Sequence, residues 1–443
     1  MLTSYNLLNP LRFLRSLRLC GKCVQTNLKK FYIYVFLCLF SSLVAISDDP
    51  PRAKVRFYPT LNEPETSQKW WDNPYLLGNW KDARASLDHA GITIASSFVS
   101  DWLANPVGGK ARGFAYAGTF NLSVHADFTK LGLNGFEIFS SACWRTGTNL
   151  SQRKIDNQFN VAQVYGSQTV KLSDLYLAQR FFGDRFYIKA GRLDAGSDFL
   201  SSPLYWKYVN AGIDGNPESI FFNVPFTVFP NATWGAYLKV KPFKRILSKC
   251  AVYNANTTIQ KNKYHGINFT FKSTNGALFI TEWCALVNQE KEDQGMPGNY
   301  KAGFYYLTGG EQQGNPCFYL LFDQMIYRQG GPGSTRGLTP FVTLLFQPKN
   351  RNLFPFFTTA GLTYRGISSN RPDDLLALGL AYGKYSSDRA PAQNFETVLE
   401  LSYWFQVNPW LTIVPDMQYI IHPLGRNTPN AWVIGFQMGL ILW

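Results

Sequence analysis

The chain has little charge and little histidine and, beyond residue 47, no unbroken apolar run long enough for a membrane helix. Charged residues make up 16% of it and histidines number four. A helical span needs about 20 consecutive apolar residues, so a helical-bundle membrane protein is excluded for everything after residue 47. Cysteine is also sparse: of seven, Cys20, Cys23 and Cys38 fall in the first 47 residues. The remaining Cys143, Cys250, Cys284 and Cys317 suffice for two bridges in three possible pairings, or for buried thiols. Their spacing does not resemble a zinc site. No nucleic-acid motif is present, and neither a cofactor nor a metal is expected.

Residues 1–47 hold six bases (Arg12, Arg15, Arg18, Lys22, Lys29, Lys30) and no acid, and then FYIYVFLCLFSSLVAIS stops at DDP. A basic segment, an apolar core and a small-residue end make a secretory signal, with cleavage after Ser47. The alternative is an N-terminal anchor, for which the run is short. Cys38 follows Phe36-Leu37 without a small residue just before it, which argues against lipidation. With those six of the 43 bases removed, the rest of the chain carries a formal charge of +8, read as solvated surface plus a few pore residues.

What the chain has in quantity is alternation. In FAYAGTFNLSVHADFT, Phe114, Tyr116, Phe120, Leu122, Val124 and Phe128 share one parity, and Asn121, Ser123, His125 and Asp127 share the other. Successive side chains of a strand point to opposite faces, so a greasy face backs a polar one. TWGAYLKVKPF sets Trp234, Ala236, Leu238 and Val240 against Tyr237, Lys239 and Lys241. FETVLELSYWFQ sets Leu399, Leu401 and Phe405 against Glu396, Glu400 and Ser402. After Asn408-Pro409, WLTIVPDMQYI sets Ile413, Pro415 and Met417 against Asp416 and Gln418. Pro415 has no amide for the ladder and requires a bulge or an unpaired position. GALFITEWCAL mixes Glu282 into an apolar set, so its faces are not assignable from the pattern.

Aromatics at 16% with few charges suit a transmembrane barrel, whose outer face alone is greasy. At about 10 residues per spanning strand plus turns, the roughly 350 residues after the lead make on the order of 16 strands. A barrel of that size encloses an aqueous lumen. The expected organisation is 1–47 signal peptide, 48–91 periplasmic lead with a short helix, and 92–443 an all-β transmembrane antiparallel barrel. The lead bears Pro50, Pro51, Pro59 and Pro64. In GNWKDARASLDHAG, Asn79 is the expected helix cap, Gly91 follows the last turn, and Trp80, Ala83 and Leu87 share a face. The terminal NAWVIGFQMGLILW ends on Trp443. Its apolar parity set (Trp432 to Leu442) is the other one, an imperfect form of the terminal aromatic expected to engage the barrel-assembly machinery.

Ordered blocks resemble the carbohydrate-selective porins of the OprB type. GNWKDARASLDHAGI resembles that family's opening helix and first strand, and NPVGGKARGFAYAG, VHADFTKLGLNG and RTGTNLS its early hairpins. DLYLAQRF and YIKAGRLDAGSDF resemble its central strands. GLTYRGISSNRPDDLLALGLAYGKYS and LELSYWFQVNPWLTIVPDMQYIIHP resemble its last third. The mixed-phase final strand and the insertion-like NQEKEDQGMPGNYK depart from it. The resemblance implies a 16-stranded barrel in the outer membrane of a Gram-negative bacterium, passing small sugars through a charged and polar constriction. Candidate pore-lining residues are His125, Asp127, Lys239, Arg365, Glu400, Asp416 and Gln418, with Arg192 in AGRLDAG added by the resemblance. The competing readings are an anion- or dicarboxylate-preferring or general diffusion porin, a secreted glycosidase using Glu400 and Asp416 as paired acids, and a lectin.

Overall fold

The computed structural model describes residues 70–443 apart from Lys81, Lys291, Glu292, Glu311 and Gln312. The expected signal segment and most of the proline-bearing lead lie outside the described residues. The strands are β1 (Ile92–Val107), β2 (Gly113–Asp127), β3 (Phe136–Gly147), β4 (Thr169–Phe181), β5 (Phe186–Leu193) and β6 (Thr233–Phe243). They continue as β7 (Ile246–Asn254), β8 (Ala277–Val287), β9 (Gly298–Leu307), β10 (Asn315–Gln324), β11 (Tyr327–Arg328) and β12 (Gly337–Phe346). The last five are β13 (Phe356–Arg365), β14 (Leu375–Lys384), β15 (Phe395–Asn408), β16 (Leu411–Ile421) and β17 (Ala431–Ile441). Neighbours in sequence pair antiparallel, and β1 pairs with both β2 and β17, so the sheet closes. The two-residue β11 continues β10 along the edge of β12, which leaves sixteen staves, as the length of the chain implies.

Proline explains two irregularities. Between Asp323↔Phe341 and Tyr327↔Leu338 the β10 side holds one residue more than the β12 side, and Pro340 stands at that break. A proline cannot donate there, so the partner strand bulges past it. Likewise the β15–β16 ladder passes from Ser402↔Asp416 to Phe405↔Ile413, leaving Pro415 in the gap. Pro415 thus has no ladder partner on the β15 side, as its missing N–H requires, while it stays in register with Phe436 of β17.

One parity of each strand faces outward. Leu122, Val124, Leu399, Leu401, Met417 and Phe436 are exposed, whereas Ser402, Gln418 and Asp416 are buried. At the rim away from Trp443, outward rings form a continuous chain. Phe346, Phe356, Tyr382 and Phe395 follow one another at 5.4, 6.2 and 5.5 Å. The other rim carries Phe128–Phe136 at 5.5 Å and Phe182–Phe186 at 5.8 Å. Aromatic rings at both edges of an apolar band are how a barrel seats at the two membrane interfaces.

Both the first described residues and Trp443 lie at one end, called the near end below. Leu76 and Leu77 donate to the carbonyls of Ile441 and Leu442, Ser96 N–H donates to Trp443 O, and the Trp80 ring lies 4.3 Å from that of Trp443. The short helix (Ala83–His89) differs from expectation at its start. Asp82 is the N-cap residue in a left-handed conformation, and Asn79 donates to Asp82 Oδ1 instead of capping the helix. None of its residues is buried, so the expected apolar stripe packs nothing away. Gly91 does end it, donating to Asp88 O at φ +84°. No disulfide joins Cys143, Cys250, Cys284 and Cys317; Cys143, Cys284 and Cys317 are buried thiols, so the bridged alternative is corrected.

The outward parity of β15 sets a measurable cost. Leu401, near the middle of the strand and 38% exposed, replaced by Lys, is expected to destabilise the barrel by about 2–4 kcal/mol at the bilayer midplane. Equilibrium unfolding in lipid bilayers, with Leu401→Ala as reference, checks it.

Candidate pore constriction

The near-end connections run to no more than 12 residues, whereas the far end carries three long crossings, 148–168, 194–232 and the largely exposed 255–276, of which the first two fold into the barrel. Buried residues along them include Ile155, Phe159, Val161, Phe199, Tyr208 and Ile213. They pack against inward positions of the wall such as Leu345, Phe357, Ala377, Ala381, Val398 and Val433. The hydrophobic core therefore lies inside the barrel. This resolves GALFITEWCAL: Leu278, Ile280, Glu282 and Cys284 face inward onto packed segments and Phe279 and Trp283 face outward.

Glycine makes room on the wall. A Cβ at Gly361 would lie 2.5 Å from the Tyr208 hydroxyl, one at Gly379 2.5 Å from the Tyr208 ring, and one at Gly383 2.5 Å from Phe159. Into that groove Tyr208 inserts, its hydroxyl donating to Leu378 O at 3.0 Å. Phe159 meets Phe354 and Phe357 at 5.5 and 5.3 Å.

The inserted backbone is irregular, so its N–H and C=O groups need partners other than a ladder. Carboxylates supply acceptors on the β15–β16 side. Glu396 accepts from the N–H groups of Gln158 (2.8 Å), Phe159 (2.7 Å) and Leu424 (2.5 Å). Glu400 accepts from Val209 (2.5 Å) and Asn210 (3.1 Å). Ser402 Oγ bridges Glu400 and Asp416 at 2.9 and 3.0 Å, and Gln418 donates to Asp416 (2.8 Å) and to Val161 O (3.0 Å). Gln418 also accepts from Asn210 at 2.8 Å.

Cations supply donors on the opposite side of the sheet order. Lys171 Nζ donates to Gln260 O at 2.8 Å and to Asn231 and Asn262 at 2.7 Å. Arg192 donates to Asn268 O (2.7 Å) and Ala232 O (3.1 Å). Lys249 donates to Asp198 O (2.7 Å) and pairs with Glu282 at 2.8 Å, while Lys301 donates to Ser201 O (2.7 Å). Lys189 pairs with Asp198 at 2.8 Å beneath the rings of Tyr176 and Tyr237, 4.8 and 5.0 Å away.

The eight sequence candidates thus separate into two groups. Glu400 and Gln418 are buried and bond inserted backbone, and Asp416 is buried beside them on Ser402 and Gln418. Arg192 is also buried but lies in register with the outward Leu175 and Trp234, so, contrary to expectation, it does not line the pore. His125, Asp127, Lys239 and Arg365 stay partly accessible toward the near end. His125 pairs with Glu137 at 3.2 Å, and Arg180 reaches the other Glu137 oxygen. Asp127 caps the turn after β2 by accepting from Thr129 N–H (2.9 Å), and Arg365 pairs with Asp373 at 2.8 Å. Sequence reasoning missed Lys189, Lys249, Glu282, Glu396 and Lys301. Glu396 shares the inward parity of Glu400, and the break of parity at Glu282 was itself the available signal. Among the described residues no group of His, Cys, Asp and Glu has the makings of a metal site.

The model of the carbohydrate-selective porin, OprB family, matches residues 111–312 and 307–440. Porin B of Pseudomonas aeruginosa is 26% identical, covering 83% of this chain and 91% of that protein. The putative porin QuiX of Acinetobacter baylyi is 24% identical over 83% of this chain and 93% of its own length. The high-pH structure of Pseudomonas putida OprB superposes with a TM-score of 0.77 at 23% identity, covering 84% of this chain and 100% of that one. The low-pH structure of the same protein gives 0.59.

Glu400→Ala takes away the acceptor of the Val209 and Asn210 amides, at about 1–3 kcal/mol for each buried N–H left without one. Noisier single-channel currents and faster proteolysis within 194–232 are the expected result. Glu218, on the inserted segment, accepts from Asn160 N–H at 3.2 Å. Burial pushes its carboxyl well above the ordinary 4.5, and Glu396 nearby adds to this against the Asn160 bond. The folded chain therefore keeps a proton there that the unfolded chain has released. From pH 4.5 up to the raised value this term loses stability by about 1.4 kcal/mol per pH unit. The heat-modified gel mobility of Glu218→Gln should fall less steeply between pH 5 and 8 than that of the wild type.

Proposed function

The chain belongs to the carbohydrate-selective porin, OprB family, and is a porin for carbohydrates; we propose that it spans the outer membrane of a Gram-negative cell and passes small sugars passively past two inserted segments. The observation that carries this reading is a closed barrel, greasy outside, whose interior is narrowed by 148–168 and 194–232 held on charged side chains. Rings and charges alternate on the inner face: Tyr176 and Tyr237 flank Lys189, and Tyr187 lies 5.8 Å from the Arg180 guanidinium. A sugar offers hydroxyls to such charges and an apolar ring face to such aromatics. Weak sites in series let it move on, where one tight site would trap it.

In this reading His125, Asp127, Lys239 and Arg365 border the near-end vestibule on the periplasmic side. Glu400 and Gln418, braced by Asp416, act on the bore indirectly, by holding the segments that narrow it, whereas Arg192 ties the far-end carbonyls of Asn268 and Ala232 from the outward parity. Residues 1–47 act as the export signal, and the final strand with Trp443 presents the chain to the barrel-assembly machinery. In this reading the chain is a channel rather than an enzyme, which its membership of a porin family supports. In keeping with that, Glu400 and Asp416 are buried and engaged by loop amides, Ser402 and Gln418, so neither stands ready as the acid of a glycosidase.

Protein reconstituted into liposomes is expected to admit glucose, measured as swelling after osmotic challenge, and to give discrete conductance steps in planar bilayers. Uptake of dicarboxylates without any uptake of glucose would instead establish the anion-porin alternative.

A further inference from the structure

Most inward-facing cations of β4 to β9 are committed. Lys171, Lys249 and Lys301 hold loop oxygens, and Lys189 is paired with Asp198. Arg180 is paired with Glu137 and Asp184. Lys239 is different. It faces inward on β6, opposite Tyr187 on β5, and is half-buried. Its Nζ lies 4.9 Å from the centre of the Tyr187 ring, and among the described residues no hydrogen bond or ion pair reaches it. The acids around it, Asp184 and Asp198, are those already engaged by Arg180 and Lys189. It lies toward the near-end turn of β6, opposite Lys249, whose own ammonium meets the inserted segment at Asp198 O.

A second ammonium repeats the arrangement. Lys207, on the inserted segment, lies 4.3 Å from the centre of the Trp404 ring on the inner face of β15, again without a hydrogen bond or ion pair. Arg365 and the buried Asp214 are its charged neighbours. Each site thus combines an aromatic face with three ammonium donors lacking an acceptor. A neutral sugar uses the hydrogen-bonding capacity but leaves the charge unanswered. A sugar bearing a carboxylate answers both, because charge-assisted bonds are roughly twice as strong as neutral ones.

We propose that the near-end vestibule favours sugars carrying a carboxylate, the aldonates and uronates, and that Lys239, seconded by Lys207, reads that charge. The inference rests on the carbohydrate-passage reading above. Its test compares sodium gluconate with glucose on the full-length protein in liposomes, with gluconate permeability taken also from zero-current potentials in a gluconate gradient. Lys239→Gln is expected to lower the gluconate-to-glucose permeability ratio about threefold, the effect of one charge at some 7 Å in a wet lumen. Lys207→Gln should shift the ratio in the same direction, and Lys239→Arg, which keeps the charge, should retain it. A ratio unmoved in both glutamine variants, or gluconate and glucose falling in proportion, overturns the proposal. Absence of glucose entry through the wild-type protein would overturn the carbohydrate reading instead, a separate outcome of the same assay.

Discussion

Irregular backbone inside a barrel must find hydrogen-bond partners, and in this protein charged side chains of the wall provide them. Glu396 and Glu400 collect amide N–H groups, while Lys171, Arg192, Lys249 and Lys301 collect carbonyls. A buried amide or carbonyl left alone would cost several kcal/mol in such surroundings. Ionisable groups are in turn tolerable there because most of them meet two or more polar partners. The wall charges are thus first of all a means of holding the inserted segments, and through them of setting the bore.

The same insertion inverts the ordinary arrangement of a barrel pore. Where an open lumen would be polar throughout, this one contains a packed apolar core. The inner faces of β13 and β14 accordingly use Gly361, Gly379, Ala377, Ala381 and Gly383, which yield the volume that Tyr208 and Phe159 fill. In the proposed reading, passage is left to the margins of that core, where tyrosine rings and cations share the wall.

Alternation carried much of the architecture. The inward and outward sets read for β2, β15 and β16 match the structure, as does that of β6 except for Val240, read as outward but buried beside a bulge. Pro415 foretold a gap in its β15 ladder that is present. The reading stopped at residues whose role depends on distant chain. Glu400 and Gln418 were legible as inward polar residues, but their partners Val209, Asn210 and Val161 are some two hundred residues away or more in sequence. Asn79 had the chemistry of a cap, yet Asp82 took the position because the backbone there turns left-handed. Four cysteines allowed bridges that strand register does not form.

What the residues by themselves determined is local: a period of two, set by the pleat, decides which side chains meet lipid, and length decides how many staves close the barrel. Which wall charges remain open to a solute was decided only by the path of 148–168 and 194–232 through the interior. That path depends on many contacts between residues far apart in sequence, each weak alone, so no short window of the chain encodes it. Lys239 and Lys249 look alike in sequence, inward lysines on adjacent strands. Only the fold brings an acid and a carbonyl to one and an aromatic ring alone to the other.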